Sequence, residues 1–376
     1  MGFENSTETW KKYRHQFPVT ANLVYLNHAA VAPLCLPAAD AMKQLADDAC
    51  EWGSFHYDTW MACYEGFRAA AAKLIGSQAN EIAITKNTSE GIATIQMGLD
   101  WRDGDKVVAF QEEFPANFFP WKRLEARGVR VEWLSIYDPL EKIEAAAKGA
   151  RLLAVSFVNY LSGHRVDLQA IGDICQRHGV FYFVDAIQGL GVFPIDVRAM
   201  HIDALAADGH KWLLGPEGCA ILYVREGVQD SIEPVEFGWT NIAGYNDYAC
   251  RDMALRSDAG RYEPGTLNTI GCYGLRASME FLLDVGVVNV GKQVLANTAL
   301  LAQGAQEKGY QLMIERPAES CSGIVSMQKP GVDSRYVVKQ LREARITAAP
   351  RQGWVRVSPH LYNNPDDISR FLEALL

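Results

Sequence analysis

Between residues 81 and 224 the chain alternates short apolar runs with stretches whose apolar positions recur every three to four residues. Continuous runs predict strands covered on both faces, and the 3.6-residue period predicts helices lying over them. The predicted strands are 81–86, 106–110, 129–135, 152–158, 180–184, 204–207 and 219–224. Helices are predicted at 89–99, 117–127, 140–148 and 168–178. Strands spaced by helices of this length form βαβ units with right-handed crossovers. The expected fold class is α/β, with a mostly parallel seven-stranded sheet.

After about residue 251 the pattern changes. A helical run containing 280–284 ends at Gly286, and a long helix follows at 290–308. Apolar segments at 324–328 and 354–358 bracket a helix at 334–343, and 365–376 closes the chain as a helix. Fewer strands spaced by helices predict a smaller α+β domain. At 376 residues the chain is too long for one hydrophobic core. The expected division is a large domain over 20–255 and a small one built from 1–19 with 256–376.

The formal net charge of −9 argues against a nucleic-acid partner, which needs a basic face. No apolar run approaches the ~20 residues of a membrane helix. The first thirteen residues mix charged and polar side chains and do not read as a secretory leader. Met1-Gly2 with Ser6 matches a loose myristoylation pattern, but no basic cluster follows to support a single acyl chain. A cytoplasmic protein without membrane contact is expected. The eight cysteines form no Cys-x-x-Cys pair and read as buried thiols in a reducing compartment. The eight histidines show no metal-ligand spacing, so no metal is expected.

In a parallel sheet the ligand site lies beyond the carboxyl ends of the strands. Asp185 ends an apolar strand there. A carboxylate in that position serves as a helix N-cap or as counter-ion to a protonated ring nitrogen. Lys211 follows 26 residues later, between an apolar run and a Gly-Pro turn. An isolated lysine is most often a surface residue with a buried stem. Held among apolar segments, its pKa falls and its amine becomes a better nucleophile. Asn87-Thr88-Ser89-Glu90 stands where a strand turns into a helix, where free N–H groups bind a phosphate or an ordinary cap.

Together these segments resemble the class V aminotransferase family. This is the cysteine-desulfurase-like branch of the fold-type I enzymes that use pyridoxal 5′-phosphate. The resemblance runs from Tyr25 to Leu376. Its most specific parts are Val184-Asp185-Ala186-x-Gln188 and Gly209-His210-Lys211-Trp212-Leu213-Leu214-Gly215-Pro216. Tyr25-Leu26-Asn27-His28-Ala29-Ala30, Pro264-Gly265-Thr266-Leu267-Asn268 and Val355-Arg356-Val357-Ser358 support it. The resemblance implies that Lys211 carries the cofactor as a Schiff base and then moves protons. It implies that Asp185 pairs with the pyridine nitrogen and Gln188 with the ring oxygen. Thr88, Ser89 and His210 would hold the phosphate. Thr266 would reach the phosphate of a neighbouring subunit, which implies a homodimer. Asn159 and His28 would face the ring or the substrate, and Arg356 would clamp the carboxylate of a small amino acid.

Two departures narrow the resemblance. Where desulfurases stack a histidine on the cofactor, this chain has Glu113-Phe114-Pro115-Ala116-Asn117, similar to the Phe-Pro pair of kynureninase. Phe114 would stack there, or else pack in the core. The loop before Arg356 holds no cysteine, and Cys321 lies well upstream. Persulfide transfer is therefore not expected. Transamination, epimerisation and β-elimination, as in a C–S lyase, stay open at this point. An aspartate, Asp208, stands where the family has serine or threonine, and it would repel a phosphate. A nucleotide-binding Rossmann enzyme would need a Gly-x-Gly-x-x-Gly turn, which is missing. A non-catalytic scaffold would have no use for Lys211, Asp185 and Arg356 together.

Overall fold

The computed structural model describes residues 8–376, so the Met1-Gly2 and Ser6 pattern lies outside the described residues. Its centre is a seven-stranded sheet. The strands are β1 (Ile82–Thr85), β2 (Lys106–Phe110), β3 (Arg130–Leu134), β4 (Leu152–Ser156), β5 (Phe181–Asp185), β6 (Ala204–Asp208) and β7 (Ala220–Val224). They are ordered β1-β7-β6-β5-β4-β2-β3. Only β7 runs against its neighbours. The remaining pairs are parallel, as βαβ units require.

The uninterrupted apolar runs have a direct cause: both faces of the sheet are covered. Val108, Leu153, Val155, Tyr182, Val184 and Leu205 face one core. Their alternating neighbours Val107, Ala109, Leu152, Ala154, Phe183 and Ala206 face another. One side of the sheet is packed by helices absent from the sequence-based prediction, Leu36–Trp52 and Tyr57–Ile75, which lie against Thr269–Val285. The helix predicted at 117–127 is broken. A short helix, Phe119–Arg123, is flanked by 3-10 turns at Pro115–Asn117 and Leu124–Arg127. Pro115 and Pro120 lack the N–H donors a continuous helix needs.

A smaller antiparallel sheet is ordered Ala349–Arg351, Trp354–Val357, Val325–Gln328, Gln311–Leu312. Its third core also takes in Val24 and Leu26. Val24 pairs with Ile346 in a short parallel ladder. Arg14 pairs with Asp367 at 2.6 Å, and the rings of Phe17 and Tyr362 stack at 4.0 Å. The start of the described chain is thereby tied to its end.

Five cysteines are buried, but Cys50 is exposed and Cys250 and Cys321 are intermediate, which corrects the expectation of eight buried thiols. No single described helix is long and apolar enough to cross a membrane.

Candidate active site

The ends of β5 and β6 open onto a cavity of about 380 Å³, a volume at the small end for ligand sites. It is lined by Thr88, Ser89, Phe114, Asp185, Gln188, His210, Lys211 and Arg356, among others. Eight residues singled out from separate stretches of sequence thus meet in one place.

The helix Thr88–Gly98 aims its N-terminus at one end of this cavity. Asn87 caps it, its side chain accepting from the N–H of Glu90 at 2.9 Å. Gly91 lets the helix lie close on β6, since a Cβ there would stand 2.8 Å from that of Ala206. The Thr88 hydroxyl accepts from the N–H of Asp208 at 3.0 Å and keeps its own proton to donate. Asp208 lies 2.9 Å from His210 Nδ1, although neither atom is aligned for a hydrogen bond. The aspartate that would repel a phosphate is therefore accompanied by an imidazole at the same end.

Asp185 is buried, and one carboxylate oxygen accepts from the N–H of Ile187 at 3.0 Å. Burial pushes its carboxyl up to about 6, against that hydrogen bond and the nearby Lys211. Glu113 is buried in the same region. It accepts from the Ser156 N–H at 2.7 Å, and Ser156 sits opposite Asp185 in the sheet. Burial, with Asp185 adding to it, raises Glu113 to about 8. Of this buried pair Glu113 is the more readily protonated, which leaves the negative charge to Asp185.

Lys211 follows β6 with its ammonium 5.7 Å from the centre of the Phe114 ring. Burial lowers it to about 8, with Arg356 pulling the same way and Asp185 opposing. Phe114 is 45% exposed, so one face of its ring is open to the cavity and it is not a core residue. Gln188 donates to the Ala29 carbonyl at 3.0 Å and accepts from the Trp212 indole at 2.8 Å. One amide hydrogen of Gln188 is left to use.

Arg356 is 3% exposed. It donates to the Tyr160 carbonyl at 2.7 Å, and its Nε has no partner. A buried guanidinium with an orphaned donor is costly unless an anion arrives.

Three expected site residues lie elsewhere. His28 is fully buried: its Nδ1 must donate to the Ser358 carbonyl at 2.8 Å, so Nε2 accepts from the Tyr362 hydroxyl at 2.8 Å. It has no nitrogen left for a substrate. Asn159 donates to the Glu112 carbonyl at 2.8 Å and accepts from the N–H groups of Leu161 and Ser162. It shapes a turn and does not line the cavity. Thr266 is exposed in a separate cleft with Tyr64, Arg68, Trp239 and Tyr245.

Tyr160 lines the cavity although the role at that strand end was expected of Asn159, and the lining residue Arg351 was missed. Tyr160 stands beside Asn159 just past β4, and that adjacency was the available signal. Arg351 had none, because a hairpin brings it in. Cys321 does not line the cavity; its thiol donates to the Arg316 carbonyl at 3.0 Å in a different depression.

Buried lysine, strand-end carboxylate, helix N-terminus and orphaned guanidinium together fit a phosphorylated, ring-bearing aldehyde and an amino acid. Comparison with known proteins agrees. The aminotransferase class-V family matches residues 24–371. A probable cysteine desulfurase of Methanothermobacter thermautotrophicus is 31% identical, over 96% of each chain. One from Pyrococcus abyssi is 30% identical, also over 96% of each. The solved structure of a cysteine desulfurase from Thermococcus onnurineus NA1 is 27% identical over 96% of each chain, with a TM-score of 0.89. This chain belongs to the class-V aminotransferase family, whose enzymes work with pyridoxal 5′-phosphate.

Proposed function

We propose that the protein acts at Cα and Cβ of a small α-amino acid, with pyridoxal 5′-phosphate carried on Lys211. The observation that carries this reading is one cavity holding Lys211, Asp185 and Arg356. The cofactor supplies an aldehyde and an electron-withdrawing ring that stabilises negative charge at Cα. Thr88, Ser89 and His210 bind the phosphate at the helix N-terminus. Asp185 would hold a proton on the ring nitrogen, Gln188 would orient the ring oxygen, and Phe114 would offer an aromatic face to the ring. Lys211, as a free amine, takes the Cα proton. A homodimer is part of the proposal. Its support is the exposed pair of Trp239 and Tyr248, whose rings lie 6.0 Å apart, and the position of Thr266 in the cleft they line.

The desulfurase names of the relatives favour carbon–sulfur chemistry. No cysteine lines the cavity, which favours release of sulfur over its transfer to a protein thiol. The test is to incubate the loaded enzyme in D₂O with a panel of amino acids, following Cα exchange, sulfide and keto acids. Exchange with no sulfide from any sulfur amino acid would leave transamination or epimerisation as the reaction.

The lowered pKa of Lys211 predicts how the cofactor-free protein captures its cofactor. Only the neutral amine attacks the aldehyde, and it accumulates as pH rises through about 8 instead of 10.5. The rate of appearance of the bound-cofactor absorbance should climb about tenfold per unit below pH 8 and then level. A climb continuing to pH 10 would show an ordinary exposed lysine.

Arg356→Ala should weaken amino-acid binding by roughly 2–5 kcal/mol, the usual cost of truncating one side of a buried ion pair. Arg356→Lys keeps the charge but loses the two-pronged geometry, and should also bind worse. Decarboxylated amines should be little affected. Equal losses for an amino acid and its amine, read from absorbance titrations, would assign Arg356 to the fold instead.

A further inference from the structure

Arg351 gives the cavity a second guanidinium that the chemistry at Lys211 does not use. It ends the strand Ala349–Arg351, and Arg356 lies on the partner strand Trp354–Val357 of the same hairpin. Across this ladder Arg356 is opposite Ala349, and Arg351 is opposite Trp354. Side chains alternate along a strand, so both arginines project from one face, a diagonal step apart.

The hairpin is held in place. Its turn residues Gln352 and Gly353 have φ of 48° and 88°. Positive φ at both is what a two-residue turn of the favoured hand requires. Gln352 is a poor residue for that conformation, and its side chain is anchored to the Tyr160 hydroxyl at 2.8 Å. The carbonyl of the same tyrosine accepts from Arg356. Turn, tyrosine and both arginines form one unit at the cavity.

Charge points to what this unit receives. The carboxylates lining the cavity are Asp185 and Asp208. Asp185 lies at the end of β5, and Asp208 contacts His210. Neither arginine is within ion-pair distance of a carboxylate among the described residues; the recorded bond of the Arg351 guanidinium is to its neighbouring carbonyl, Pro350, at 3.1 Å. Two unpaired guanidinium groups repel each other, and together they carry one more positive charge than a single α-carboxylate neutralises. We infer that Arg351 is a specificity-determining residue that receives a second carboxylate of the substrate, so the preferred amino acids carry two. This rests on the reading of Arg356 as the α-carboxylate clamp. The second carboxylate can belong to a side chain, as in aspartate or glutamate, or to the far end of cystine.

Succinate and propionate, which cannot react, separate these roles by calorimetric titration of the loaded enzyme. Wild type should bind succinate roughly tenfold more tightly than propionate, a modest factor because Arg351 is solvent-exposed. Arg351→Ala should erase that difference and leave propionate unchanged, and Arg351→Lys should restore part of it. Arg356→Ala should weaken both ligands. Equal affinity for succinate and propionate in wild type would overturn the inference while leaving Arg356 in its role. An Arg356→Ala variant that bound both normally would instead remove the reading on which the inference rests. Titrations with L-aspartate, L-glutamate, L-cystine and L-alanine then identify the source. A wild-type advantage over Arg351→Ala for the acidic amino acids marks a side-chain carboxylate, and one for cystine marks the far carboxylate. No advantage for any of them would overturn the inference.

Discussion

Replacing Lys211 by alanine is expected to lower turnover by roughly 10³-fold or more, since it removes both the proposed nucleophile and the proposed general base. The fold should not suffer. Burial lowers the lysine to about 8 from 10.5, so the folded protein disfavours its charged form. A group whose folded pKa is depressed in this way destabilises the fold at pH values below its unfolded pKa. At neutral pH the cofactor-free variant should therefore melt at the same temperature as cofactor-free wild type or higher. Small primary amines added to the medium should recover part of the rate by taking the missing amine's place. Retention of more than a few per cent of activity without them would refute the role. A drop in melting temperature would show instead that Lys211 supports the structure.

Asp185→Asn should leave the cofactor bound through Lys211 and slow Cα proton exchange by about 10²–10⁴-fold. The substitution keeps the shape of the side chain and its acceptor for the Ile187 N–H. It removes the negative charge proposed to hold a proton on the ring nitrogen. Glu113 cannot replace that charge, because burial keeps it protonated up to about pH 8. Exchange followed by NMR in D₂O isolates this step from product release. A near-normal exchange rate would show that the ring stays protonated without Asp185.

How much of this was legible in the sequence differs from element to element. The seven central strands were, because sheet faces covered on both sides demand unbroken apolar runs, as in Leu152–Ser156. The helices Leu36–Trp52 and Tyr57–Ile75 were not predicted. Four of their eleven buried residues are alanine, Ala38, Ala70, Ala71 and Ala72, which give a weak apolar signal. Phe114 lines the cavity, and the features that pointed to it, a strand end and a Phe-Pro pair, are both local.

By itself the sequence determined which segments along the chain become the strands of the central sheet, and the strand-end positions of Asp185 and Lys211. Both follow from periodicity and burial within a few consecutive residues. The tertiary structure decided which polar groups are free to act. His28 is occupied by Ser358 and Tyr362, 330 and 334 positions away. Asn159 is consumed by its own turn, and a hairpin with an exposed arginine brings Arg351 beside Arg356. A buried polar group takes whatever partner the fold places next to it. Where that partner is remote in the chain, as for His28, no local pattern names it.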